Sequence, residues 1–144
     1  MSAHATIVTL GVSDVTRSTA FYEALGFHRS SASEPSISFF RAGAIVLAVF
    51  GHQALADDAA VPAGPVESVG FRGVTIAMNL ASAEAVDTEY ERWVSLGATP
   101  VKAPQHAEWG GHSSYVADPD GHLWELAHNP YLPLRADGSG ELAD

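Results

Sequence analysis

Apolar and polar positions along this chain fall into one order that occurs twice. Residues 5–12, Ala5-Thr6-Ile7-Val8-Thr9-Leu10-Gly11-Val12, are β-branched and apolar without a charge, the pattern of a strand buried on both faces. Ser13-Asp14 then offers an N-cap, and Val15, Ser18, Tyr22 and Leu25, with Phe21 alongside, trace one helical stripe that stops at Gly26. Three short strands follow over residues 27–31, 36–41 and 44–50, separated by Ser33-Glu34-Pro35 and by the tight turn Ala42-Gly43. Residues 51–70, rich in Ala, Asp, Pro and Gly, read as a linker with at most a short helix over 53–58.

The order then repeats. A strand over residues 71–80 leads to the N-cap Ser82, and Val86, Tyr90, Trp93 and Val94 form a stripe that ends before Gly97. Strands over 99–105, 112–118 and 122–128 follow, with the loop Glu108-Trp109-Gly110-Gly111 between the first two; Asn129-Pro130 stops the sheet, and 136–144 frays. Residues match as well as elements: Tyr22-Glu23-Ala24-Leu25-Gly26 answers Trp93-Val94-Ser95-Leu96-Gly97. Likewise Gly43-Ala44-Ile45-Val46-Leu47-Ala48 aligns with Gly121-His122-Leu123-Trp124-Glu125-Leu126, which sets Glu125 against Leu47. The expected architecture is α+β, two tandem βαβββ modules over residues 1–52 and 71–130, joined by a linker at 53–70 and followed by a flexible tail at 131–144. A helix on one face of each four-stranded sheet leaves the other face free. The two modules would then form a curved, partly open mixed sheet around a central cavity.

Composition narrows the functional classes. The formal charge is -10, with one lysine, Lys102, and six arginines, which argues against nucleic acid and anionic membranes as partners, since both recruit basic patches. No apolar run is long enough to cross a bilayer and the N-terminus lacks the blocks of a signal peptide, so a cytoplasmic protein is expected. With no cysteine, disulfides, thiolate metal sites and cysteine nucleophiles drop out, and any metal would need His, Asp or Glu.

Glu125 is the residue that asks for a partner. Side chains alternate along a strand, so Glu125 faces away from Trp124 and Leu126, and an inward carboxylate needs a metal, a cation or a donor. Three roles are open to it: the remnant of a metal site, an anchor for a cationic or donor-bearing ligand, and a general base. The anchor is favoured, with Thr9 and His112 as polar companions. His106, His112, His122 and His128 cluster late in the chain without the i, i+4 spacing of a helical zinc motif, and parity sets His122 and His128 opposite Glu125. Asp118 and Asp120, beside Pro119 and Gly121, suit turn-forming roles better than acid–base catalysis. Trp109, on a glycine loop, suits either ligand stacking or core anchoring, and Phe39 or Phe40, Phe50, Met78, Tyr115 and Trp124 are candidates to line an apolar pocket.

Taken together, Leu10-Gly11-Val12-Ser13-Asp14 leading into Ser18-Thr19-Ala20-Phe21-Tyr22-Glu23-Ala24-Leu25-Gly26-Phe27 resembles the vicinal oxygen chelate superfamily. So does Trp109-Gly110-Gly111 leading into Ala117-Asp118-Pro119-Asp120-Gly121-His122-Leu123-Trp124-Glu125. That superfamily includes glyoxalase I, extradiol dioxygenases and bleomycin and fosfomycin resistance proteins, so the resemblance is specific for fold and leaves the activity open. Its metal-dependent members hold ligands at positions that correspond here to Ile7 (or Thr9), Leu47, Val74 (or Ile76) and Glu125, of which only Glu125 is a plausible ligand. The opposite faces, Val8, Leu10, Val46, Ala48, Thr75 and Ala77, offer no better set. No cofactor is therefore expected, and a divalent metal is disfavoured. The resemblance implies a homodimer. The leading expectation is a metal-independent binder that sequesters an aromatic or cationic compound, with Thr9, Phe50, Met78, Trp109, His112, Tyr115 and Glu125 as ligand-binding residues. The alternatives are a glyoxalase-like or dioxygenase-like metalloenzyme with relocated ligands, and a metal-free lyase or isomerase with Glu125 as catalytic base.

Overall fold

Local chemistry starts and stops the helices where the pattern places them. In the computed structural model, which describes residues 2–65 and 70–143, the Asp14 carboxylate accepts from the Arg17 backbone N–H at 3.0 Å and opens helix α1, Val15–Leu25. Gly26 closes it at φ +106, a left-handed conformation that a side chain would strain. Ser82 caps helix α3, Ala83–Ser95, in the same way through the Ala85 N–H at 3.1 Å. Part of the expected linker, residues 66–69, and the terminal residues 1 and 144 lie outside the described residues.

The chain forms two compact units, Met1–Gly70 and Phe71–Asp144. In the first, strands β1 (Ile7–Val12), β2 (His28–Arg29), β3 (Ile37–Ala42) and β4 (Ile45–Gly51) make a mixed sheet in the order β1-β4-β3-β2, with β1 parallel to β4 and the other pairs antiparallel. A short helix α2, His52–Asp58, follows β4 directly. In the second unit β5 (Thr75–Asn79), β6 (Thr99–His106), β7 (His112–Ala117) and β8 (Leu123–His128) repeat the arrangement in the order β5-β8-β7-β6, again with only the β5–β8 pair parallel. These are the two tandem βαβββ modules of an α+β fold that the sequence repeat predicts.

Helices α1 and α3 are each fixed to their own sheet by aromatic packing. Tyr22 and Phe40, both fully buried, meet at 6.0 Å between ring centroids, and Thr19 shares a 2.8 Å hydrogen bond with Ser38 of β3. Trp93 and Trp124 meet at 5.3 Å, with Val86, Val116 and Leu126 buried around them. Burying an aromatic side chain removes roughly 150–250 Å² of surface from water, several kcal/mol per unit before the entropy of ordering is set against it.

Two expectations need correction. Strand β1 is not buried on both faces: it is the edge of the first sheet, and Ile7 stays 48% exposed. Strand β5 is shorter than residues 71–80, because Gly73 at φ +82 breaks the extended run before Thr75. Among the described residues no helix is long and apolar enough to cross a membrane.

Candidate functional site

The loop before β8 decides which way Glu125 points. Ala117 and Leu123 are paired in the ladder, so five residues, Asp118 to His122, make the connection. Asp118 is 2% exposed, and its Oδ1 accepts from the backbone N–H groups of Asp120 (2.9 Å) and His122 (2.8 Å), an Asx-type turn that holds the loop from inside. Asp118 is thus a turn-former. With the register so fixed, Trp124 and Leu126 face α3, and Glu125 lies on the other face of the sheet, half-buried.

On that face Glu125 stands between Ala77 of β5 and Tyr115 of β7, and Lys102 of the edge strand β6 is registered against Tyr115. The row Ala77–Glu125–Tyr115–Lys102 is therefore apolar, anionic, phenolic and cationic in turn. The rows beside it pair Ala117 with Leu123 on one side and Ser113 with Ala127 on the other. Burial, and then the charge of the Glu125 carboxylate and its hydrogen bond, push the Tyr115 phenol above its usual value of 10.0. Tyr115 therefore keeps its proton at neutral pH and serves as a donor beside an acceptor carboxylate.

The remaining candidates divide. His112 does not accompany Glu125: three residues from Tyr115 on one strand, it points to the α3 face, where its Nε2 meets the Asp87 carboxylate at 2.8 Å. Met78 is likewise on the wrong face, registered opposite Leu126, and the β5 residues that share Glu125's face are Thr75, Ala77 and Asn79. Trp109 sits in the β6–β7 turn, 48% exposed, with its indole so close over Gly111 that a Cβ there would fall inside the ring; Tyr131 flanks the neighbouring Gly110. Thr9 and Phe50 belong to the first unit, on the face of its sheet away from α1, opposite Ala48 and Gly11 respectively. Lys102 escaped sequence reasoning because two register shifts in β6 hide its partner; its being the single lysine was the available signal.

Register also shifts the comparison between halves. The β3–β4 turn has two residues and the β7–β8 loop five, so aligning Gly43 with Gly121 slides the strands by one. Thr9 pairs with Ala48 and Ala77 with Glu125, each on the face turned from its helix, so the counterpart of Glu125 is Ala48 rather than Leu47. The donor chemistry at the positions expected to bind a metal does not fit one: on the relevant faces stand Ile7, Thr9, Ala48, Thr75 and Ala77, and Glu125 is the lone carboxylate.

Two four-stranded βαβββ units with the polar pair on the helix-free face define the class of tandem βαβββ proteins. The model of the Glyoxalase/Bleomycin resistance protein/Dioxygenase superfamily matches residues 3–126, and the chain belongs to that family. It is similar to the solved structure of a glyoxalase-related enzyme from Fulvimarina pelagi, at 33% identity and TM-score 0.86, over 98% of this chain and 99% of that one. It is also similar to a glyoxalase/bleomycin resistance protein/dioxygenase from Nocardioides, at 28% identity and TM-score 0.76, over 99% and 91%. Over 59 residues it is 39% identical to an uncharacterised protein of Mycobacterium bovis, a match that covers 41% of this chain and 37% of that protein's length.

Proposed function

We propose that this protein is a metal-independent binder that holds a small aromatic or cationic compound against the Glu125 face of its second sheet. The observation that supports the reading is the Glu125–Tyr115 pair set among Ala77, Ala117, Ala127 and Ser113. The carboxylate accepts from a ligand N–H or balances its charge, the phenol ring offers a flat π face, and Leu123 beside the pair adds apolar contact. The acidic surface favours a cation at long range. We place the protein in the cytoplasm as a homodimer. Phe71 and Tyr131, 71% and 76% exposed, support association, and sedimentation at equilibrium tests it.

Titration with aromatic amines and quaternary ammonium compounds, followed by calorimetry, tests the binding. Loss of a charge-assisted hydrogen bond in Glu125→Gln lowers affinity by roughly tenfold or more. Unchanged affinity refutes the anchor. A second reading, a metal-free lyase or isomerase, takes support from the proton donor beside the carboxylate: Glu125 is then the base and Tyr115 the acid. Catalysed turnover that is abolished in Glu125→Gln replaces sequestration with that reading. Relocated metal ligands make the third; stoichiometric metal in tag-free protein that is lost in Glu125→Ala sinks the metal-independent reading.

A further inference from the structure

The cation that ends the Glu125 row is used by no reading of that face so far. Across the helix-free side of the second sheet the ladder sets Glu125 of β8 against Tyr115 of β7, and Tyr115 against Lys102 of β6. Residues paired in this way project to the same face with Cβ atoms about 4.5–5.5 Å apart. Glu125 and Lys102 therefore flank the phenol, on strands separated by roughly 9–10 Å. The rows beside this one run from Thr75 to Thr99 and from Asn79 to Gln105, and the residues registered in them carry no charge.

Two ordinary roles for Lys102 leave its position unexplained. It does not neutralise Glu125: among the described residues Lys102 takes part in no ion pair, whereas the Glu125 carboxylate accepts from the Tyr115 phenol. A lysine on an edge strand also discourages edge-to-edge pairing, but any position along β6 serves that purpose, and this one is registered on Tyr115. What remains is an exposed cation, the single lysine of a chain with formal charge -10, one strand beyond a phenol whose other neighbour is a carboxylate.

From this juxtaposition we infer that the Glu125 face selects zwitterions: flat aromatic compounds with an ammonium at one end and a carboxylate or similar anion at the other. The ring lies on Tyr115, the ammonium meets Glu125 and the anion meets Lys102, so two charge-assisted contacts of opposite sign fix the direction of the ligand. A purely cationic compound leaves Lys102 unmatched, and a purely anionic one is repelled by Glu125. The inference rests on the Glu125 reading and adds Lys102 as the residue that sets specificity. The net negative charge of the chain opposes a carboxylate at long range, so a preference for the zwitterion needs a local cation.

Calorimetric titration with para-aminomethylbenzoate and with its methyl ester tests the inference, because the ester keeps the ring and the ammonium and removes the anion. The acid is expected to bind about tenfold tighter than the ester. Lys102→Gln abolishes that preference by weakening the acid alone, Lys102→Arg restores it, and Glu125→Gln weakens both compounds. Residue 102 is exposed on an edge strand, and unaltered circular dichroism of Lys102→Gln confirms its fold. Equal affinities for acid and ester, or a preference that survives Lys102→Gln, overturns the inference and leaves the Glu125 anchor standing if Glu125→Gln still weakens the ester. Affinities indifferent to Glu125→Gln, or binding of neither compound, bring down the anchor and the inference together.

Discussion

Replacing Asp118 by alanine removes the internal brace of the loop that sets the register of β8. Its Oδ1 holds two backbone N–H groups, at 2.9 Å from Asp120 and 2.8 Å from His122, in a residue 2% exposed. A hydrogen bond to an ionised acceptor is worth about 1.5–3 kcal/mol net, so the pair sets an upper figure of about 3–6. The freed N–H groups are only partly buried and can turn to water, which brings the expected loss to about 2–4 kcal/mol. At about 3 °C per kcal/mol for a chain of this size, Tm falls by about 6–12 °C. Asp118→Asn keeps an acceptor oxygen and loses only the charge, so it costs about 1 kcal/mol. Urea unfolding of the three proteins measures the series. An Asp118→Ala loss within about 0.5 kcal/mol of zero, the scatter of ordinary surface substitutions, refutes the brace. Asparagine as costly as alanine shows that charge, and not the acceptor geometry, does the holding.

Other outcomes follow from the same geometry. In Glu125→Gln the Tyr115 phenol loses its anionic neighbour, so its titration, read from tyrosinate absorbance, moves down toward 10.0 while burial keeps it above that value; no movement refutes the pairing. Because the folded-state value is raised, Tyr115 contributes stability that is complete below 10.0 and is lost as pH climbs through the raised value. Tyr115→Phe therefore flattens the alkaline decline of stability, and an unchanged slope counts against it. Gly111→Ala drives the Trp109 indole off the turn, and the expected result is a red-shifted, more quenchable emission that Trp109→Phe abolishes. Trp93→Ala, at a side chain with no exposure packed on Trp124, costs about 3–5 kcal/mol in denaturant unfolding; a loss below about 1 kcal/mol means that the helix is held by other contacts.

Much of the fold was legible because its signals are local. Asp14, Gly26 and Ser82 announce the helix ends, and the stripes through Tyr22 and Trp93 name the faces that are buried. The site was less legible, because it depends on register. Tyr115 and His112 differ by an odd number and cannot both face Glu125, yet only the ladder shows that Tyr115 does. The same one-residue sensitivity set Leu47 in the place of Ala48 when a two-residue turn was aligned with a five-residue loop. It also assigned Met78 to the wrong side of β5. Lys102, between two register shifts, is marked in the sequence only as the single lysine.

The aromatic packing under the two helices has a practical consequence. The three tryptophans, Trp93, Trp109 and Trp124, all belong to the unit Phe71–Asp144, while the core of Met1–Gly70 is built on Tyr22 and phenylalanines. Indole emission therefore reports on one core and is blind to the other, whereas far-ultraviolet dichroism sees both. A single titration read by the two signals separates concerted melting from sequential melting without any engineered label: coincident curves mean that the repeats stand or fall together.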